Sequence, residues 1–228
     1  MSTTANRAVV HEGDRPNPFR QAARAVLLRV VPRSMLIASL PRGSGSVALT
    51  FDDGPHPVWT PKILDALGAA GARATFFLIG AHAAAHPDVV RRIAAEGHAV
   101  GHHSWTHSEP AATSAKMLLQ ETAQTRRLLE DLTGAPVPLF RPPHGKLTTT
   151  KLIGVWRQRN AIVLWNEDPK DFRMAAADEL VGWARTRTWR PGEIILLHDV
   201  HEHTAAAIPA ILAATPIRFV ALGTPHAG

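Results

Sequence analysis

The feature that most restricts how this chain folds is a repeated switch between two kinds of segment. Short apolar runs alternate with longer stretches in which apolar residues recur every three or four positions. The runs fall at Val47–Phe51, Ala74–Ile79, His98–Gly101, Leu139–Arg141, Ala161–Trp165, Glu193–His198 and Arg218–Leu222. Helical stretches between them cover Pro61–Ala70, Asp88–Glu96, Ser114–Leu132, Thr149–Gln158, Asp178–Thr188 and Thr204–Ala213. The third of these has the clearest limits, with Thr113 as the expected N-cap and Gly134 just past its end. Seven strands separated by helices predict an α/β fold with about seven parallel strands, spanning residues 46–228.

This pattern places the polar residues. Asp52 and Asp53 follow the first predicted strand, and His103 and His107 follow the third. Arg141 ends the fourth, Asp168 and Asp171 follow the fifth, and His198 ends the sixth. In a parallel barrel the C-terminal strand ends share one face, where active sites are built. Acids, imidazoles and a guanidinium from separate loops are therefore expected at a single mouth.

Upstream lies a segment of different character. Of the net charge of +6, residues 1–42 carry seven arginines against Glu12 and Asp14, whereas the remainder holds 18 basic and 17 acidic side chains. The basicity belongs to this N-terminal arm and not to the body, which argues against a nucleic-acid-binding surface on the domain. Within the arm, Phe19, Ala22, Ala23, Val26, Leu27 and Val30 recur with helical spacing, and Arg42–Ser46 reads as a linker. Arg24, Arg29 and Arg33 interrupt any run of the roughly 18 apolar residues that a membrane span needs. The uncharged run Ser34–Pro41 comes too late, and lacks the cleavage site, for a secretory signal. The expectation is a cytoplasmic protein whose arm either docks on the domain or rests peripherally on an anionic membrane.

Chemistry comes from the residue types. The chain has no cysteine, so a metal must be held by His, Asp or Glu, and a thiol nucleophile is excluded. His103 and His107 are spaced by four, and Asp52-Asp53 offers adjacent carboxylates, one to ligate and one to stay free as a base. An Asp-His-His set gives a divalent ion three protein ligands and leaves positions open for water and substrate. Zinc suits such N/O ligands best, with cobalt or manganese also accommodated. His82 and His86 share the same spacing, so spacing alone does not choose between the pairs. His102, His201 and His203 compete as well. Arg141 precedes two prolines that stiffen its strand exit, and its planar fork suits orienting a carboxylate. His198, emerging from an apolar strand with Asp171 available to it, is a candidate general acid.

Taken in order, Thr50-Phe51-Asp52-Asp53-Gly54-Pro55, His103-Ser-Trp-Thr-His107, Arg141-Pro-Pro-His-Gly145, Asp168-Pro-Lys-Asp171-Phe172 and Leu196-Leu-His198 resemble the five motifs of NodB-type polysaccharide deacetylases, carbohydrate esterase family 4. The resemblance spans roughly Ser46 to Leu222. It implies an irregular (β/α) barrel and metal-dependent hydrolysis of an N-acetyl or O-acetyl group on an acetylated glycan. By motif position it makes Asp53, His103 and His107 the metal ligands and Asp52 the base that activates water. It makes Arg141 the residue that orients Asp52, and Asp171 the one that sets the charge on the acid His198. It further implies an oxyanion contact from the backbone near His144 and an acetyl pocket walled by Leu196 and Phe172. The family usually has tryptophan where this chain has Phe172, and Trp105 is a candidate to compensate. Two other readings stand beside this one: a hydrolase of a non-sugar amide or cyclic imide using the same site, and a glycan-binding protein without turnover.

Overall fold

A computed structural model describes residues 31–41 and 43–223. The helix expected over Phe19–Val31 falls, except for its last residue, outside them. The elements run in chain order: β1 (Leu36–Ile37), β2 (Ser46–Asp52), α1 (Trp59–Ala69), β3 (Thr75–Leu78), α2 (Gly80–Ala85), α3 (Pro87–Ala95), β4 (Ala99–His102), α4 (Ala115–Thr133), β5 (Leu139–Phe140), α5 (Thr149–Arg157), β6 (Ala161–Val163), α6 (Ala177–Thr186), β7 (Ile194–His198), α7 (Glu202–Ala213) and β8 (Arg218–Phe219).

All pairings between these strands are parallel, in the order β1-β6-β5-β4-β3-β2-β7, with β8 beside the start of β2. The sheet curls, and a parallel bridge between Glu167 and Ile195 ties the segment after β6 to β7. The result is the irregular (β/α) barrel that the family resemblance implies, built from the parallel strands that the pattern of the sequence predicts.

Strand alternation then decides what faces where. Val47, Leu49 and Phe51 of β2 and Ile195 and Leu197 of β7 join the larger apolar cluster beneath the helices, together with Ile63, Leu64 and Ile208. The opposite parity, Ala48 and Ile194 with Phe77, Leu139 and Val163, fills the inside of the barrel. Thr50 and Asp52 share the parity of Ala48, and Leu196 and His198 share that of Ile194. The same alternation that builds the core therefore turns these four residues inward. Register places Asp52 directly beside His198.

Two boundaries differ from expectation. The body starts well before residue 46: Leu36 and Ile37 pair with Ile162 and Val163 of β6, and the compact unit extends from Arg33 onward. Only two residues of the Ser34–Pro41 run pair, too few for an alternation to show. At α4 the cap is Ser114, whose Oγ accepts from the Met117 N–H at 3.1 Å, and not Thr113. Gly134 closes that helix in the left-handed conformation, as expected.

Candidate active site

The carboxyl ends of β2, β4, β5 and β7, with the loop after β6, surround a cavity of about 470 Å³. Asp52, Asp53, His103, His107, His144, Leu196 and His198 line it, and Phe172 stands at its edge.

Asp53 leaves β2 with φ +74°, and Ser104 and His107 also have positive φ, at +63° and +55°. None is glycine, so each conformation costs on the order of 1–3 kcal/mol and persists because its surroundings impose it. The geometric consequence is convergence. Asp53 Oδ1 lies 3.6 Å from His103 Nε2 and 3.5 Å from His107 Nε2. Among the described residues these three form a group whose ligand atoms all lie within 4.8 Å of one another. Ligands held tetrahedrally at about 2.0–2.1 Å from a zinc ion stand about 3.4 Å apart. Asp53 Oδ1 is also buried with no hydrogen-bond partner among the described residues, a lone acceptor aimed at the space between two ring nitrogens. The residues fit a divalent metal.

His103 has the form that such a role would need. His103 Nδ1 donates to the Arg141 carbonyl at 2.7 Å, which leaves Nε2 as the free lone pair. Burial pulls the His103 pKa down to about 3, against the opposing charge of Asp53, so the ring is neutral at pH 7. The loop carrying both histidines is held by Glu121 of α4, whose carboxylate accepts from the Trp105 and Thr106 N–H groups at 3.1 and 3.2 Å. Ser104 Oγ accepts from the His107 N–H at 3.0 Å.

Next to this group stands Asp52, with Oδ2 3.6 Å from His103 Nε2. Arg141 is completely buried, and its Nη1 donates to Asp52 Oδ1 and to Thr50 Oγ1, each at 2.7 Å. Its guanidinium also stacks on Phe77, 4.2 Å from the ring centre. Burial raises the Asp52 pKa more than Arg141 lowers it, which makes this carboxylate more basic than an exposed one.

Opposite, His198 Nδ1 donates to Asp171 Oδ1 at 2.7 Å. Asp171 is fully buried and further tied by the His198 N–H at 2.8 Å and Thr204 Oγ1 at 2.9 Å. Burial alone would depress the imidazole pKa, but the hydrogen bond and charge of Asp171 outweigh it and hold the value at about 9. The site thus contains a base and a protonated acid as neighbours on adjacent strands.

Several competitors are resolved by their surroundings. His102 is fully buried, stacked on Phe140 and hydrogen-bonded through Nε2 to Asn160 Oδ1 at 3.2 Å. His82, exposed on α2, donates from Nδ1 to the Asp53 carbonyl at 2.7 Å. His203 Nε2 donates to the Asp171 carbonyl at 2.9 Å, and His201 stacks on it at the cavity rim. Phe172 is 44% exposed and sets its edge against the His198 ring. Trp105 does not compensate for it, because its ring packs over Gly80, where a Cβ would lie 2.3 Å from Cε3. The tryptophan that does line the cavity is Trp165, which like Lys146 had no motif to mark it; nor had Glu121, which holds the histidine loop. His144, also on the rim, is left-handed at φ +55°, and its ring lies 4.9 Å from that of His107.

Comparison with known proteins agrees with this geometry. The polysaccharide deacetylase family model matches residues 40–158. A chitooligosaccharide deacetylase of Sinorhizobium fredii is 39% identical over 178 residues, covering 75% of this chain and 77% of the relative. A peptidoglycan-N-acetylglucosamine deacetylase of Bacillus cereus is 37% identical over 159 residues, which are 70% of this chain and 58% of that longer protein. Among solved structures, the Bc1960 peptidoglycan N-acetylglucosamine deacetylase superposes with a TM-score of 0.77 at 32% identity, covering 90% of this chain and 94% of its own. A family 4 carbohydrate esterase from Streptomyces lividans, in complex with acetate, has a TM-score of 0.69 at 34% identity over 75% of this chain and 88% of its own. The barrel, the five motifs in order and these likenesses together make the chain a member of the polysaccharide deacetylase family.

Proposed function

We propose that this protein is a metal-dependent hydrolase that removes acetyl groups from N-acetylated sugars of a glycan. The observation that carries the reading is the meeting of Asp53 Oδ1 with the Nε2 atoms of His103 and His107, beside one basic carboxylate and one cationic imidazole. Asp53, His103 and His107 would hold the metal, with zinc the best match to their N/O donors. Bound there, it supplies Lewis acidity to the amide carbonyl and lowers the pKa of water.

The chain's own groups account for the proton movements. Asp52, aimed by Arg141, takes a proton from the attacking water as its oxygen bonds to the carbonyl carbon. His198 gives its Nε2 proton to the sugar nitrogen as the C–N bond breaks, releasing acetate and a free amine. An amide leaves as an amine only when protonated, so an acid held charged near neutral pH is the feature that simple water activation lacks. In this reading Leu196 and Phe172, which line the cavity, wall the acetyl methyl group, and the backbone at His144 meets the carbonyl oxygen.

The test is acetate release from N-acetylglucosamine oligomers by the full chain, with and without a chelator. Release that stops on chelation and returns with zinc is expected. Release insensitive to chelation would reject the metal reading, and no release from any acetylated sugar would favour hydrolysis of a different amide or binding without turnover.

A further inference from the structure

Asp199 follows the site histidine, takes no part in the steps above, and is completely buried. Its Oδ2 accepts from Thr60 Oγ1 at 2.6 Å. Thr60, in the first turn of α1, is equally buried and itself accepts from the His56 N–H at 2.8 Å. The Asp199 N–H donates to the Asp52 carbonyl at 3.3 Å. Its Oδ1 makes no hydrogen bond among the described residues. A buried carboxyl group with one oxygen unsatisfied, its pKa pushed up to about 7 by burial, costs stability, so its presence calls for a compensating role.

Its position supplies one. A Cβ added to Gly54 would lie 2.1 Å from Asp199 Oδ2 and 2.3 Å from Oδ1. The carboxyl group therefore lies directly against the β2–α1 turn at the residue after Asp53, where only glycine leaves room for it. That turn holds Asp53 at φ +74°, a conformation that aspartate does not keep without restraint. Other contacts pin its remaining sides: His82 Nδ1 reaches the Asp53 carbonyl at 2.7 Å, and the Ile79 N–H reaches the Gly54 carbonyl at 2.9 Å. Asp199 and Thr60 close the side facing α1 and β7.

We propose that Asp199 is a positioning residue for the metal-ligating turn: anchored by Thr60, it wedges against Gly54 and keeps Asp53 Oδ1 directed toward His103 and His107. The inference rests on the reading that these three residues hold a metal. Because Asp199 works through Asp53 and touches no substrate, its loss falls on metal affinity and kcat, and not on KM.

The experiment is zinc titration of the metal-free full-length chain by calorimetry, with kcat, KM and melting temperature measured alongside. D199A and T60V should each weaken zinc binding about 10- to 100-fold, the range for groups that support a ligand from outside the coordination sphere. kcat should fall with KM nearly unchanged. D199N and T60S keep an acceptor and a hydroxyl in place and should recover most of the affinity. G54A should weaken zinc binding in the wild-type chain and much less in the D199A background, where its Cβ no longer meets a carboxylate. Should D199A fail to fold, T60V carries the same comparison. D199A and T60V chains that melt lower yet bind zinc as tightly as a zinc-binding wild type would overturn the positioning role alone. A wild type that takes up no zinc would overturn the site reading and this role with it.

Discussion

Replacing Asp171 with asparagine separates the acid from the other groups of the site. In the wild type, His198 holds its proton up to about pH 9 because Asp171 Oδ1 accepts from Nδ1. Asparagine removes the charge, and an amide N–H facing Nδ1 favours the neutral ring, so the pKa falls to the ordinary histidine value of about 6.5. At pH 8 the protonated fraction then drops from about 0.9 to about 0.03, a loss of about 30-fold in kcat/KM, whereas at pH 6 occupancy changes by less than about twofold. The basic limb of the kcat/KM profile for acetate release should move from about pH 9 to pH 6.5 or lower, with the acidic limb, set by Asp52, in place. Stability should respond with the same sign. A raised histidine pKa contributes stability fully below 6.5 and loses it as pH rises through 9, about 3 kcal/mol at most across that window. Denaturant unfolding of the variant should be flatter between those limits. An Asp171→Asn enzyme that is uniformly slow at every pH, with an unmoved basic limb, would refute the assignment of His198 as the acid.

Other outcomes follow from the same geometry. Arg141→Ala strands the buried Asp52 carboxylate and should destabilise the fold by about 3–5 kcal/mol in chemical denaturation, with Arg141→Lys intermediate because it keeps the charge but not the fork. His107→Ala should weaken zinc binding by more than the about 10- to 100-fold expected for a supporting group, as read by calorimetry. A chain trimmed to begin at Ser46 would lose β1 and expose the edge of β6, and should elute as aggregate in size-exclusion chromatography where one beginning at Arg33 does not.

The order of strands and helices was legible because buried parallel strands and amphipathic crossovers write different periods into the chain. Motif residues were legible for a related reason: Asp52, Arg141 and His198 sit where apolar runs stop. What was not legible is carried by contacts distant in sequence. Nothing around Glu121, mid-helix in α4, signals that it accepts two N–H groups of a loop 15 and 16 residues earlier. The link from His82 to the turn after β2 was hidden because its partner is a backbone carbonyl 29 residues away. Leu36–Ile37 was absorbed into the arm because a two-residue strand has no alternation to read. The direction of the Asp52 shift also needed the structure, since Arg141 alone argues for a lowered value and only full burial reverses it.

The left-handed backbone at Asp53 sets folding and function against each other at one residue. Glycine there would relax the conformation and remove a buried acceptor that has no hydrogen-bond partner among the described residues, so the metal-free fold should gain from the very change that removes the proposed ligand.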